Sequence, residues 1–128
     1  MKRLALALLL VACRDLAAPD AGAVVIPPAA YATWWEEIEA CSGRSGRLAR
    51  ITWHAVPADD GPFFRWQGRP RAGLWIAPHA IYLSDSLLLS HDLVKHEMLH
   101  DLLQDGHHPS TFQACGVRYP ILIPQESR

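Results

Sequence analysis

The apolar positions of the chain change period along its length, and the changes divide it into elements. Leu4–Ala12 is an unbroken apolar run behind Lys2 and Arg3, too short to span a bilayer and built like an export signal. Arg14–Pro28 is rich in small residues and proline, as a tether would be. Within it, Val24-Val25-Ile26 suits either a first edge strand or linker. A helix is predicted from about Tyr31 to Cys41, with Trp34 or Trp35, Ile38 and Cys41 on one face. Thr33-Trp34-Trp35-Glu36 has the spacing of a capping box, and Ser42-Gly43 supplies a stop.

Strand-like patterns follow. Leu48–Val56 places Leu48, Ile51, Trp53 and Ala55 among polar residues and ends at Pro57. Asp59-Asp60-Gly61-Pro62 is a turn, Phe63–Gln67 a second strand, and Gly68-Arg69-Pro70 a second turn. Gly73–Ala77 and Ala80–Leu83, split by Pro78-His79, read as one bent strand or two edge segments. A helical period then returns, with Leu93, His96, Leu99 or His100, and Leu103 tracing one face, broadened by Met98 and Leu102. Ser90 is placed to cap this helix, Asp92 suits its first turn, and Gly106 would end it. Within 128 residues, the order helix, strands, helix describes one α+β domain, a small β-sheet packed on an N-terminal helix and a second helix.

Half of the residues are hydrophobic, which excludes a disordered chain, and a net charge of −1 implies no strongly charged partner. The clusters Arg44/Arg47/Arg50 and Arg65/Arg69/Arg71 lack a clear aromatic stacking pattern. They read as solvated strand and loop faces, and no nucleic-acid partner is expected.

The three cysteines divide into one and two. Leu10-Val11-Ala12-Cys13 resembles the lipobox of bacterial lipoproteins, which implies cleavage before Cys13 and lipidation of that residue. Arg14, rather than Asp, follows it. By the family's rule this directs the protein to the outer membrane, facing the periplasm, where a cell has two membranes. The expected division is a signal peptide over 1–12, a lipid-anchored tether over 13–28 and a folded domain over 29–128. Cys41 and Cys115 then remain as a natural pair in an oxidising compartment. Their disulfide would be worth on the order of 3–5 kcal/mol and would clamp the C-terminal segment onto the first helix. They lack the close C-x-x-C spacing of zinc ligands.

The candidate chemistry lies in the second helix. His96-Glu97-Met98-Leu99-His100 is H-E-x-x-H: its histidines share a helix face one turn apart, and Glu97 can take a proton from a water on a metal they hold. Shuffled chains of this composition contain the pattern in roughly 1–2% of cases, so accident is the weaker account. A catalytic zinc needs a third protein ligand. The metzincin pattern fails, because its Gly and His positions hold Leu103 and Gly106. A thermolysin-like glutamate could only be Glu126 near the terminus. His107 and His108 remain, just beyond Gly106. His54 and His79, isolated in strands, read as surface or hydrogen-bonded core groups, and Asp101 and Asp105 either orient an imidazole or, in the plainer reading, are polar positions on the outer helix face.

Over Ser90–Cys115 the chain resembles SprT-like zinc metallopeptidases. These follow H-E-x-x-H, after a variable spacer, with a third histidine and an aromatic residue four positions later that packs on the motif helix. Here His108 and Phe112 match that tail, so the resemblance favours His108 over His107. It implies a minimal zincin-like domain with Zn2+ on His96, His100 and His108, and Glu97 as catalytic base. SprT-like proteins act inside cells, so their substrates are not carried over. The expected function is a zinc-dependent peptidase of the bacterial cell envelope, hydrolysing peptide bonds by Glu97-assisted attack of zinc-bound water. Its partners would be a peptide or protein substrate and, through the lipid anchor, a membrane. The alternatives are a catalytically inactive zinc-binding envelope lipoprotein and a structural lipoprotein with incidental histidines. Tyr119, His107 and Tyr82 are unranked donors for an oxyanion. The Gly73–Leu83 region is the expected substrate shelf, since zincins bind extended peptide against an edge strand.

Overall fold

The computed structural model describes residue 19 and residues 22–120. The expected signal peptide, Cys13, Arg14 and Glu126 lie outside the described residues. The elements run β1 (Ala23–Val24), α1 (Ala30–Ser42), a 3-10 turn at Leu48–Arg50, β2 (Thr52–Val56), β3 (Phe64–Trp66), β4 (Arg69–Arg71), β5 (Gly73–Ile76), β6 (Ala80–Ser84), a 3-10 turn at Asp85–Leu87, α2 (His91–Leu103) and α3 (Ser110–Ala114). Four strands form a sheet in the order β1-β2-β6-β5, parallel between β2 and β6 and antiparallel at both other pairings. The α+β class is as the sequence implies.

The Val24-Val25-Ile26 run contributes an edge strand. Ala23 and Val24 pair with β2, and Val25 donates from its N–H to the Trp53 carbonyl at 3.0 Å. Helix α1 starts earlier than a capping box at Thr33 would place it. The chain leaves Pro27-Pro28 already turning, with the Tyr31 N–H on the Pro28 carbonyl at 3.0 Å, and no side chain caps the helix. It ends as expected, at Gly43 with φ +68°. Tyr31, Trp35 and Ile38, spaced by four and three residues, are its buried face.

The strand region departs further from the pattern. Leu48–Arg50 is a 3-10 turn, so β2 begins only at Thr52, and Val56 rather than Ala55 is buried. Arg69 and Pro70 belong to β4 and not to a turn. The β3–β4 hairpin reverses at Gln67-Gly68, both at positive φ, and Pro70 needs no ladder N–H on a strand paired on one side only. The segments on either side of Pro78-His79 are separate antiparallel strands. β6 lies inside the sheet, with Ile81, Tyr82, Leu83 and Ser84 all buried, while β5 is the edge.

Helix α2 is buried from Leu93 to Leu102, not amphipathic as its pattern suggests. It packs against α1, β5 and β6, and Lys95 covers its polar flank through an ion pair with Glu37 at 2.8 Å. Tyr31, Trp35, Ile38, Trp53, Ile81, Leu83, Met98, Leu99 and Phe112 form the main core, and Val56, Phe64 and Tyr82 a smaller one against the hairpin. Gln104, at φ +52°, terminates α2 in place of Gly106, and its amide donates to the Pro78 carbonyl at 2.8 Å. A disulfide joins Cys41 to Cys115 with Cα atoms 5.2 Å apart, tying the end of α1 to the residue after α3. Among the described residues, no helix is long and apolar enough to cross a membrane.

Candidate metal centre

The first two site histidines share a face of α2 because they are four residues apart, and their second ring nitrogens fix how they point. His96 Nδ1 lies 2.5 Å from the Val117 carbonyl and His100 Nδ1 lies 2.7 Å from the Asp105 carbonyl. A carbonyl oxygen only accepts, so each Nδ1 carries the proton and donates it. In the neutral rings each Nε2 is then a bare lone pair. His100 Nε2 stands 3.3 Å from His96 Nε2, and His108 Nε2 stands 3.1 Å from it.

Two bare nitrogens at 3.3 Å repel one another unless a proton or a cation lies between them. A tetrahedral zinc with Zn–N near 2.05 Å would set its donors about 3.3 Å apart. The ligand nitrogens of His96, His100 and His108 all lie within 4.8 Å of one another, an arrangement able to hold a metal ion. His96 and His100 are buried, and His108 closes the cluster from the exposed side. Phe112, wholly buried, packs its ring 5.0, 4.6 and 5.0 Å from those of His96, His100 and His108. Burial pushes the imidazole of His96 down and that of His100 down to about 4, against the opposing hydrogen bonds to Val117 and Asp105. Both rings are therefore unprotonated near neutral pH, as metal ligands must be.

Glu97 is buried on the adjoining wall of the same cavity, which has a volume of about 430 Å³. Burial raises its carboxyl to about 8, partly offset by the Arg71 charge and by the Trp75 main-chain N–H that donates to it. It fits there because residue 73 is glycine: a Cβ at that position would stand 2.8 Å from Glu97 Oε1 and 2.9 Å from its Cγ. The cavity is floored by His96, Glu97 and His100, and walled by β5 on one side and by Phe63, Pro70 and Arg71 of the hairpin region on another.

Other sequence candidates fall elsewhere. His107 is exposed and bonds the Asp105 carboxylate at 2.8 Å instead of joining the cluster. His54 stacks on Tyr82 with centroids 4.3 Å apart, on the far face of the sheet. Tyr119 is 81% exposed, and neither Tyr119, His107 nor Tyr82 lines the cavity, so none is placed to steady an oxyanion there.

Asp101 is not an outer-face residue. Fully buried, it accepts from Trp75 Nε1 at 3.1 Å and pairs with His79 Nδ1 at 3.0 Å and Arg50 Nε at 3.5 Å. Trp75, held this way, stacks against His100 at 6.2 Å between centroids. The supporting groups that sequence reading missed are the Val117 carbonyl, Trp75, Gly73 and Arg71. A main-chain carbonyl has no sequence signal, and Arg71 was hidden in an arginine cluster that looked solvated.

Fold and site together define a small α+β domain with three histidines that could hold a metal ion, beside a buried glutamate. Comparison with protein-family models, curated proteins and solved structures returned no match to the chain.

Proposed function

We propose that the protein is a zinc-dependent peptidase of the bacterial cell envelope, held to a membrane by a lipid on Cys13. The gathering of three histidine ligand nitrogens within 4.8 Å of one another, beside a buried glutamate in one cavity, carries this reading. His96, His100 and His108 are the proposed ligands. Three protein nitrogens are the ligand number of a catalytic zinc, which would also take a water. When bound, zinc supplies the Lewis acidity that polarises a water and the scissile carbonyl. A cation on the histidines would favour the ionised form of Glu97, opposing the burial that raises its carboxyl to about 8, and the carboxylate would then accept the water's proton and pass it to the leaving amine. The Trp75 N–H and the gap above Gly73 hold that carboxylate in position.

The edge strand β5 supports an extended peptide as substrate. Ser84 N–H bonds the Ala72 carbonyl, so antiparallel alternation turns the main chain of Leu74 and Ile76 toward β6 and that of Gly73 and Trp75 outward, beside the cavity. The SprT-like resemblance adds the His108–Phe112 spacing, and Phe112 packs on all three rings. The export-type N-terminus and the Cys41–Cys115 disulfide suit an oxidising compartment.

The test is zinc content and turnover of an unstructured polypeptide by the wild type, Glu97→Gln and His108→Ala. Wild type should bind one zinc per chain and cleave. Glu97→Gln should keep the metal and lose activity by about 10²–10⁴-fold, and His108→Ala should lose metal where His107→Ala does not. Unchanged turnover in Glu97→Gln with zinc bound would remove Glu97 as the base. Zinc bound by wild type with no turnover would leave the inactive zinc-binding reading.

A further inference from the structure

Among the described residues, Arg71 is the one lysine or arginine that lines the cavity, and its surroundings differ from those of two other arginines. Arg50 is matched by Asp101 at 3.5 Å, and the exposed Arg65 by Asp60 at 3.6 Å. Among the described residues, no carboxylate lies within 4.0 Å of the Arg71 guanidinium, and its buried Nε has no hydrogen-bond partner. Glu97 feels its charge across the cavity without forming an ion pair with it. The guanidinium carbon sits 5.6 Å from the Trp66 ring centre, a contact that supports the planar group without satisfying its N–H donors. β4 positions the residue: Arg71 pairs in register with the buried Phe64, and the chain passes directly through buried Ala72 into Gly73 beside Glu97.

Among the described residues no carboxylate neutralises this half-buried cation, so an anion that enters the cavity gains charge attraction and hydrogen bonds from the terminal N–H groups of the guanidinium. The forked, planar guanidinium matches a carboxylate in two parallel N–H···O bonds. The cavity, at about 430 Å³, holds only a short stretch of peptide. Arg71 and the three histidines line this one cavity, so a peptide whose carbonyl sits at the histidine cluster has its neighbouring residues in the same space as Arg71.

We propose that Arg71 is a substrate-binding residue that receives a carboxylate close to the scissile bond, so that the enzyme selects peptides by an anionic group at that distance. The carboxylate is either a free C-terminus or an acidic side chain. Its substrate class rests on the peptidase reading, whereas carboxylate binding can be measured without turnover.

The experiment uses the full chain with zinc added. Calorimetry on Glu97→Gln, which cannot turn over, compares N-acetyl-trialanine as the free acid, as its C-terminal amide, and as an amide with aspartate at the last position. A peptide with the matching carboxylate should bind about tenfold or more tighter than the plain amide, as expected for charge-assisted hydrogen bonds. Adding Arg71→Met should weaken that peptide alone to the amide's level, and Arg71→Lys should restore part of the preference. Tight binding of the aspartate amide alone identifies a side-chain carboxylate, tight binding of the free acid alone identifies a C-terminus, and tight binding of both identifies a site that takes either. Equal binding of all three peptides, no binding of any, a preference that survives Arg71→Met, or equal loss for all three in Arg71→Met would each overturn the assignment. The last outcome would mean that Arg71 serves only Glu97. Parallel turnover assays on the wild type separate the two readings. Cleavage without discrimination among the three peptides removes the Arg71 site and leaves the peptidase, whereas discrimination in binding without any cleavage does the reverse.

Discussion

At residue 73 the site depends on a missing methyl group. A Cβ there would overlap Glu97 Oε1 at 2.8 Å, so Gly73→Ala must displace the carboxylate or the edge strand. We expect Gly73→Ala to lower kcat by about tenfold or more, as misplaced catalytic groups do, while zinc content stays at the wild-type level. Steady-state kinetics beside metal analysis checks this. Protonation gives a second prediction, for the metal-free protein. Burial raises Glu97 from 4.5 to about 8, so the fold retains a proton that the unfolded chain has released, and stability falls as pH rises through that window. His96 and His100 are shifted down from 6.5, His100 to about 4, so their contribution is lost as pH falls below 6.5. The two slopes oppose each other between 4.5 and 6.5, and only that of Glu97 remains above. The thermal midpoint of chelated protein should therefore peak near about pH 6.5 and decline toward pH 8. Glu97→Gln should flatten that decline.

At the scale of elements, α2 and α3 depend on each other. α3 is only Ser110–Ala114, too short to be stable alone, yet it carries Phe112 against three imidazoles and leads to the Val117 carbonyl that orients His96. The Cys41–Cys115 bridge fixes this segment to α1. Replacing both cysteines by serine should cost about 2–5 kcal/mol of stability in a denaturant titration. It should also weaken zinc binding, because His96 loses the anchor for its tautomer. The helix periods and the H-E-x-x-H spacing were legible in the sequence, since side-chain periodicity is a local property. The burial of α2 on every side was not. Lys95 and Asp101 look like solvent-facing positions until Glu37 of α1, and Arg50, Trp75 and His79, arrive from distant parts of the chain.

For the molecule as a whole, the three proposed ligands come from α2 and the segment before α3, so metal binding would contribute to folding. Free zinc at a hundredfold excess over its dissociation constant should add about 2.7 kcal/mol to stability. Chelation should lower the thermal midpoint of wild type and leave that of His96→Ala unmoved, read by scanning calorimetry. By itself the sequence determined the class of fold, the paired cysteines and the metal-motif helix, because each follows from spacing along the chain. Only the tertiary structure decided the rest. It brought His108 and not His107 onto the helix histidines, fixed the His96 and His100 tautomers with carbonyls of Val117 and Asp105, buried Glu97 against Gly73, and set Arg71 in the cavity wall with no carboxylate partner among the described residues. Those outcomes depend on which distant groups meet, and periodicity carries no record of that.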